Sequence, residues 1–561
     1  MTLVISLLVY IFMAALAFGK LLFTFFQQDE WAIFGNYIYW QKEHLSWWNR
    51  LFIYEQDTHI VPVSNFLSYA QYALFKLSFT PYAMVSILIH LVNALLVYYL
   101  AALFVKNKYV GFLAGLFFLT NSISQQAVTW VATTTGTAGS TLVMLLSIIF
   151  FMRFLRRGEQ TINLLFSTLF LVVSLLMKET SIFCFVFFPF LWFLYGKKKS
   201  MWSGIKIFSP FAILGIGYVL FRLYFLLFGY HTTASLEELS QPSVFIYLFR
   251  ILTHPLKFLA QSFIPVSYII AVGSTIVLLG YPHFVLGGTP DPYIVETVSS
   301  DIVSYVIAII ILSLSVFLCM QKSMRELEMH KLVSAAVLFV SLSALPFIFI
   351  PGKAGYLSLI DGRHLYLTSV FSSILLAGLL FATGQIFNMK KTVLIAIGVF
   401  VVLFSGMNAM TIHKALNIQM GIAFTRQQIL KKIYTEYPHL PQKVVFYTES
   451  NTAFYGLPDE EKILPFQSGF GQTLLVWYNE HGDTIPSCFF KGKYLYVLLS
   501  QDYKQCGGRG FGYYRSIDLL KESLLANHLS SKSVIAFRYN SFSNSIIDIT
   551  KEIQDRLQYK R

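Results

Sequence analysis

The chain has 561 residues, of which 56% are hydrophobic, 17% aromatic and only 12% charged. A soluble fold has no interior large enough for that much apolar surface, so the composition excludes a soluble enzyme and points to a polytopic membrane protein. The formal net charge of +14 would suit a nucleic-acid partner in a soluble chain. Here the cations gather in short clusters between apolar stretches, where they set orientation, and nucleic acid is excluded as a partner.

The first apolar stretch, residues 3–26, is long enough to cross a bilayer. Ala15-Leu16-Ala17 looks like a signal cleavage site, but no basic segment precedes it, and the stretch reads as a retained span. It ends at Gln27-Gln28-Asp29-Glu30, where the first loop, about residues 27–81, begins. Four of the eight tryptophans, Trp31, Trp40, Trp47 and Trp48, fall in that loop, which predicts a segment lying at the lipid–water boundary. Within it, Val63, Phe66, Leu67, Ala70, Leu74 and Leu77 share one helical face behind Pro62, the pattern of a helix lying flat on a membrane.

Further spans are predicted at 82–105, 109–125, 137–153, 160–177, 180–196, 207–229, 301–320, 332–351, 364–384 and 392–412, eleven in all. Residues 244–264 and 266–281 read equally as re-entrant helices or full spans, which would raise the count to thirteen. Every second connection is basic: Lys106/Lys108, Arg153/Arg156/Arg157, Lys197/Lys198/Lys199, Lys322/Arg325/Lys331 and Lys390/Lys391. That alternation puts those loops and the N-terminus in the cytoplasm. Asp29-Glu30, Lys178-Glu179, about 230–300, Gly352–His364 and the C-terminal tail then face outward.

Charged and polar residues return after Thr411, dividing the chain into a membrane domain, 1–412, and an extracytoplasmic soluble domain, 413–561. In the latter, 413–436 reads as an amphipathic helix and Ile517–Ala526 as another. Lys443–Thr448, Tyr494–Leu499, Val534–Tyr539 and Ile546–Ile549 read as strands, so an α/β class is expected. Cys488 and Cys506 could pair there, since extracytoplasmic space permits disulfides, while Cys184 and Cys319 lie in apolar spans. Gly507-Gly508-Arg509-Gly510-Phe511-Gly512 misses the dinucleotide fingerprint, because Tyr513 stands where its last glycine belongs; a glycine-rich turn is the better reading. No metal-ligand cluster or nucleotide motif is present, and a divalent-metal requirement stays open.

Five stretches in order carry a resemblance: Asp57-Thr58-His59-Ile60-Val61-Pro62 with Tyr72–Leu77 and Tyr82; His90-Leu91-Val92-Asn93 through Leu100; Ala127-Val128-Thr129-Trp130-Val131; Leu176-Met177-Lys178-Glu179-Thr180; and Gly362-Arg363-His364-Leu365-Tyr366-Leu367. Over about the first 385 residues they resemble the GT-C membrane glycosyltransferases. The likeness is to prokaryotic relatives of the tetratricopeptide-bearing transmembrane O-mannosyltransferases and to the protein O-mannosyltransferase/aminoarabinose transferase group. The resemblance implies an all-α, GT-C-type membrane domain whose partners are a polyprenyl-phosphate sugar donor, membrane lipid and a lipid, glycan or protein acceptor. It also implies an acidic residue of the first outer loop as base, the position Asp29 occupies. The chain departs from the family in lacking a repeat array. It also has Gly362-Arg363-His364 where the relatives carry a Glu-Arg-Tyr-like triplet, so only the arginine transfers.

The chemistry agrees with that implication. A carboxylate can take the proton of an attacking hydroxyl, and the departing lipid phosphate needs cations. Asp29, with Glu30 beside it, is the catalytic candidate; Arg363, Lys178 and Lys353 are candidates for the donor phosphate, with His59 and Glu179 as positioning groups. Each has a plainer reading. Asp29-Glu30 would be charge flanking a helix end, Lys178-Glu179 a polar hairpin tip, Arg363 a snorkelling anchor and His59 a loop brace. His90 and Asn93 share one face of a span and read as interhelical hydrogen-bonding groups. The rival function is a transporter or flippase of lipid-linked glycans, which would carry mid-membrane ionisable groups and an internal repeat.

Overall fold

The computed structural model describes residues 3–27, 29–53, 60–156, 160–196, 200–228, 244–286, 288–322, 325, 328–349, 359–451, 466, 469–495 and 500–558. Two compact units emerge. The first comprises Met1–Gly19, Leu51–Leu67 and Met84–Lys414; the second comprises Lys20–Arg50, Ser68–Ala83 and Ala415–Arg561.

The chain is a mostly helical, multi-pass membrane protein. Among the described residues eight helices are long and apolar enough to cross a membrane, or nine if one bent pair counts as a span. Each of the eleven predicted spans contains an apolar helix, but Lys108–Leu119, Thr161–Met177 and Glu179–Tyr195 are short. Helices Val244–Gln261 (α1) and Val266–Gly280 (α2) form the bent pair, turned by 109°. The break falls at Phe263-Ile264-Pro265, where proline cannot continue a helix.

In the first unit close approach replaces the hydrophobic effect, which lipid does not supply. Gly111 and Gly115 sit four apart, and a Cβ at either would crowd the carbonyl of Tyr98 or Ala94. Helices Ser140–Arg156 and Thr161–Met177 are joined by a serine seam. Ser147 Oγ donates to the Ser167 carbonyl at 2.7 Å, and Ser174 Oγ to the Ser140 carbonyl at 3.0 Å.

His90 and Asn93 make the interhelical bonds expected of them. His90 Nδ1 lies 2.8 Å from the Tyr366 hydroxyl and its Nε2 3.0 Å from the Leu119 carbonyl. Asn93 Nδ2 donates to the same hydroxyl at 3.0 Å and to the Ala138 carbonyl at 2.9 Å. Tyr366→Phe strands these groups. It is expected to cost about 1–3 kcal/mol of stability, seen as a lower Tm of the purified protein; an unchanged Tm would show that the network contributes nothing.

In the second unit, strands Lys443–Ser450 (β1), Asp502–Cys506 (β2), Arg509–Tyr514 (β3), Val534–Asn540 (β4) and Ser545–Asp548 (β5) form one sheet in the order β2-β3-β1-β4-β5. β1 is parallel to β3 and β4, while β2 and β5 are antiparallel edges. The central strand is buried without a break from Val444 to Thr448, as expected where both faces are covered. Helix Ile517–Ala526 begins at Ser516, whose hydroxyl accepts the Leu519 N–H. The predicted helix 413–436 is the continuation of the last apolar helix, one element running Lys391–Glu436. Of the predicted strand 494–499, Tyr494 and Leu495 lie in a turn and 496–499 fall outside the described residues. The glycine run makes a two-residue hairpin turn at Gly507 (φ +55°) and Gly508 (φ +77°), then continues as β3.

Cys488 and Cys506 are joined by a disulfide. Cys488→Ser is expected to remove about 3 kcal/mol of stability from this unit, the loop-closure entropy of a ring of that size. Denaturant titration with and without reductant checks it; coincident curves would show that the bridge contributes nothing.

Candidate functional site

Asp29 and Glu30 open helix Asp29–Lys42 of the second unit, where carboxylates are favoured by the helix dipole. Successive side chains on a helix diverge, and the two part company here. Glu30 is 2% exposed, accepts the Gln27 N–H at 3.3 Å, and its charge acts on the guanidinium of Arg426. Asp29 is half-buried. The helix is held by aromatic packing: Phe26 meets Trp31, Phe34, Phe79 and Tyr82 at centroid distances of 5.0–5.7 Å. Phe34 stacks on Tyr72, whose hydroxyl donates to Glu480 Oε1 at 2.6 Å on helix Phe470–Glu480 of the α/β domain.

This corrects the lipid-boundary reading of the tryptophans. Trp31 and Trp40 are buried inside the unit, and only Trp47 and Trp48 are exposed. Amphipathic aromatic sequence looks the same whether it meets a membrane or a protein domain.

The first unit contains the basic candidates. Helix Gly362–Ile386 carries Arg363 and His364 in its first turn. Gly362 lies against the Ile123 carbonyl, where any Cβ would collide, so glycine is required at this position. The Arg363 guanidinium lies 4.8 Å from the Trp130 ring centroid and 3.6 Å from Asp361 Oδ2; its backbone N–H donates to Gln126 Oε1 at 3.4 Å. His364 packs on Phe347 with centroids 4.7 Å apart. Lys178 follows helix Thr161–Met177, and its Nζ donates to Thr137 Oγ1 at 2.7 Å. Burial pushes the Lys178 ammonium down to about 8; the Glu179 charge opposes this and the Arg363 charge adds to it.

Three of the stretches singled out in the sequence, around Trp130, Lys178 and Arg363, thus meet. Asp29 and Glu30 belong to the other unit, and His59 and Lys353 lie outside the described residues. Sequence reasoning missed Arg426, Trp130, Gln126 and Thr137 as partners. Among the described residues no three His, Cys, Asp or Glu side chains are grouped to hold a metal ion. What the first-unit cluster can do chemically is hold an oxyanion. Arg363 offers a planar fork braced by an indole face, and Lys178 offers a compact charge nearby.

No protein-family model and no curated protein matches the chain. Among solved structures it is similar to an archaeal oligosaccharyltransferase, AglB from Archaeoglobus fulgidus in complex with an inhibitory peptide and a dolichol-phosphate. The identity is 12% and the TM-score 0.38, covering 85% of this chain and 63% of that one. It is also similar to ArnT from Cupriavidus metallidurans bound to undecaprenyl phosphate, at 11% identity and TM-score 0.41, covering 84% of both chains. The chain therefore spans less than two thirds of the archaeal enzyme's length and most of the bacterial protein's.

Proposed function

We propose that the chain is a membrane glycosyltransferase that moves a sugar from a polyprenyl-phosphate-linked donor to an acceptor on the outer face of the membrane, with inversion. The observation that carries this reading is the meeting of Trp130, Lys178 and Arg363 from three distant stretches, two cations and an aromatic brace suited to a phosphate. In the reaction, Asp29 accepts the acceptor's hydroxyl proton as the oxygen attacks the anomeric carbon. The carbon–oxygen bond to the carrier breaks, and its electron pair stays on the lipid phosphate, which Arg363 and Lys178 stabilise. Glu30, tied to Gln27 and Arg426, holds the start of the helix.

Orientation rests on the alternating basic loops, which put the N-terminus in the cytoplasm. A re-entrant α1–α2 pair leaves that alternation intact, and the Cys488–Cys506 bridge suits an oxidising outer compartment. In this reading residues 1–412 carry the transferase and 413–561 form the extracytoplasmic domain.

Reconstitution into vesicles with a labelled polyprenyl-phosphate sugar tests the assignment. Transfer with release of polyprenyl phosphate is expected. Movement of intact donor between leaflets without bond cleavage would establish the flippase instead.

A further inference from the structure

Glu480 breaks two local rules of the second unit. It is the last residue of helix Phe470–Glu480, where the unpaired carbonyls of the helix end disfavour a carboxylate. Its side chain is only 11% exposed, so desolvation adds to that cost. Contacts with other elements must therefore hold the charge in place.

Those contacts come from the segment Ser68–Ala83 and from the helix that begins at Asp29, both in the same unit. The Tyr72 hydroxyl donates to Glu480 Oε1 at 2.6 Å, and Lys76 Nζ lies 3.5 Å from Oε2 and 4.7 Å from the Tyr72 ring centroid. Tyr72 is fully buried. Burial, and after it the Glu480 charge, push its hydroxyl well above the usual range, so it stays an O–H donor. The same carboxylate reaches Lys42, in the last turn of the Asp29 helix: burial pushes the Lys42 ammonium down, and the Glu480 charge opposes this. Tyr72 touches that helix with its ring, which stacks on Phe34 at 5.0 Å and meets Tyr37 at 5.5 Å.

Midway along the Asp29 helix, Gly35 lies against Gln472 and Phe490; a Cβ there would collide with the amide of Gln472, which is itself buried. The helix thus rests on helix Phe470–Glu480 at Gly35 and is tethered beyond that point by Glu480. Asp29 lies about 9 Å along the axis from Gly35, so a tilt of about 6° there displaces it by about 1 Å. A misplacement of about 1 Å can cost about a hundredfold in rate. We infer that Glu480 is a positioning residue for the transfer reaction: acting through Tyr72, it fixes the direction of the helix that carries Asp29, which makes the α/β domain part of the machinery that aims the base. The inference rests on Asp29 being that base.

The test uses the full chain in lipid and two readouts. In sugar transfer from a polyprenyl-phosphate donor, Glu480→Ala and the near-isosteric Tyr72→Phe should each lower kcat about tenfold or more, with donor KM unchanged. Glu480→Gln should restore most of the loss, because its amide oxygen still accepts the Tyr72 O–H. In an Asp29→Asn background Tyr72→Phe should have no further effect, since a base that is gone cannot be misaimed; a general folding defect would lower the residual activity by the same factor. Hydrogen exchange reads the tether without catalysis: the amides of residues 29–42 should exchange about tenfold faster in Tyr72→Phe, with those of β1 unchanged. Wild-type exchange in 29–42, or an equal loss of kcat with and without Asp29, would overturn the positioning role. Full transfer by Asp29→Asn alongside faster exchange in Tyr72→Phe would overturn the base instead and leave the tether established.

Discussion

Asp29→Asn is expected to lower sugar transfer at least a hundredfold while leaving membrane insertion and donor binding close to wild type. The amide keeps the size and shape of the carboxylate but cannot accept the acceptor's proton, and a general base contributes about 10²–10⁴-fold. Glu30→Gln is expected to act differently. Its side chain is buried and acts on Arg426, so the loss falls on stability, about 1–3 kcal/mol, with turnover largely retained. Parallel measurement of kcat and Tm separates the two. Full activity in Asp29→Asn would move the base elsewhere, and a hundredfold loss of kcat in Glu30→Gln without loss of Tm would move it to Glu30.

Arg363→Ala is expected to weaken donor use by roughly ten- to a hundredfold, the worth of charge-assisted hydrogen bonds of about 1.5–3 kcal/mol. Arg363→Lys should restore only part of this. A lysine keeps the charge but loses the planar fork and its stacking on Trp130. The effect should appear in the donor KM, with acceptor KM unchanged. A donor KM equal to wild type in the alanine variant would reduce Arg363 to an interfacial anchor. Because the free Lys178 ammonium titrates near 8, kcat/KM for the donor should fall as pH rises through that value and the cation is lost. Lys178→Met should flatten this dependence.

Apolar runs with no competing explanation were legible in the sequence. All eleven predicted spans contain helices, Ile517–Ala526 ends where expected, and the three predicted strands that lie wholly within the described residues are present. His90 and Asn93 declared their role because two polar residues three apart on a span have few alternatives to bonding a neighbouring helix.

What stayed hidden was hidden for physical reasons. Trp31 and Trp40 carry no mark that distinguishes burial under a protein domain from burial in a headgroup layer. Arg426 lies within a helix whose exposed turns are also charged, so nothing in its spacing singles it out. β2 and β3 were masked by the glycines between and within them, which favour turns locally while the sheet dictates otherwise. The polar face that α1 buries could have been found. Arg250, His254, Lys257 and Gln261 recur at helical spacing in an otherwise apolar stretch, and that pattern belongs to a polar face turned away from lipid.

If this protein breaks the bond between a sugar and a lipid phosphate using Asp29, that cleavage is read out in the consumption of the donor. Purified wild type and Asp29→Asn, both checked for folding, are incubated in lipid with a sugar-labelled polyprenyl-phosphate donor and a panel of candidate acceptors, and free polyprenyl phosphate is quantified. Wild type is expected to liberate polyprenyl phosphate in step with labelled product, while Asp29→Asn binds the donor and turns it over at least about a hundredfold more slowly, the lower end of the range for a lost base. Equal release by both proteins would contradict the assignment of Asp29.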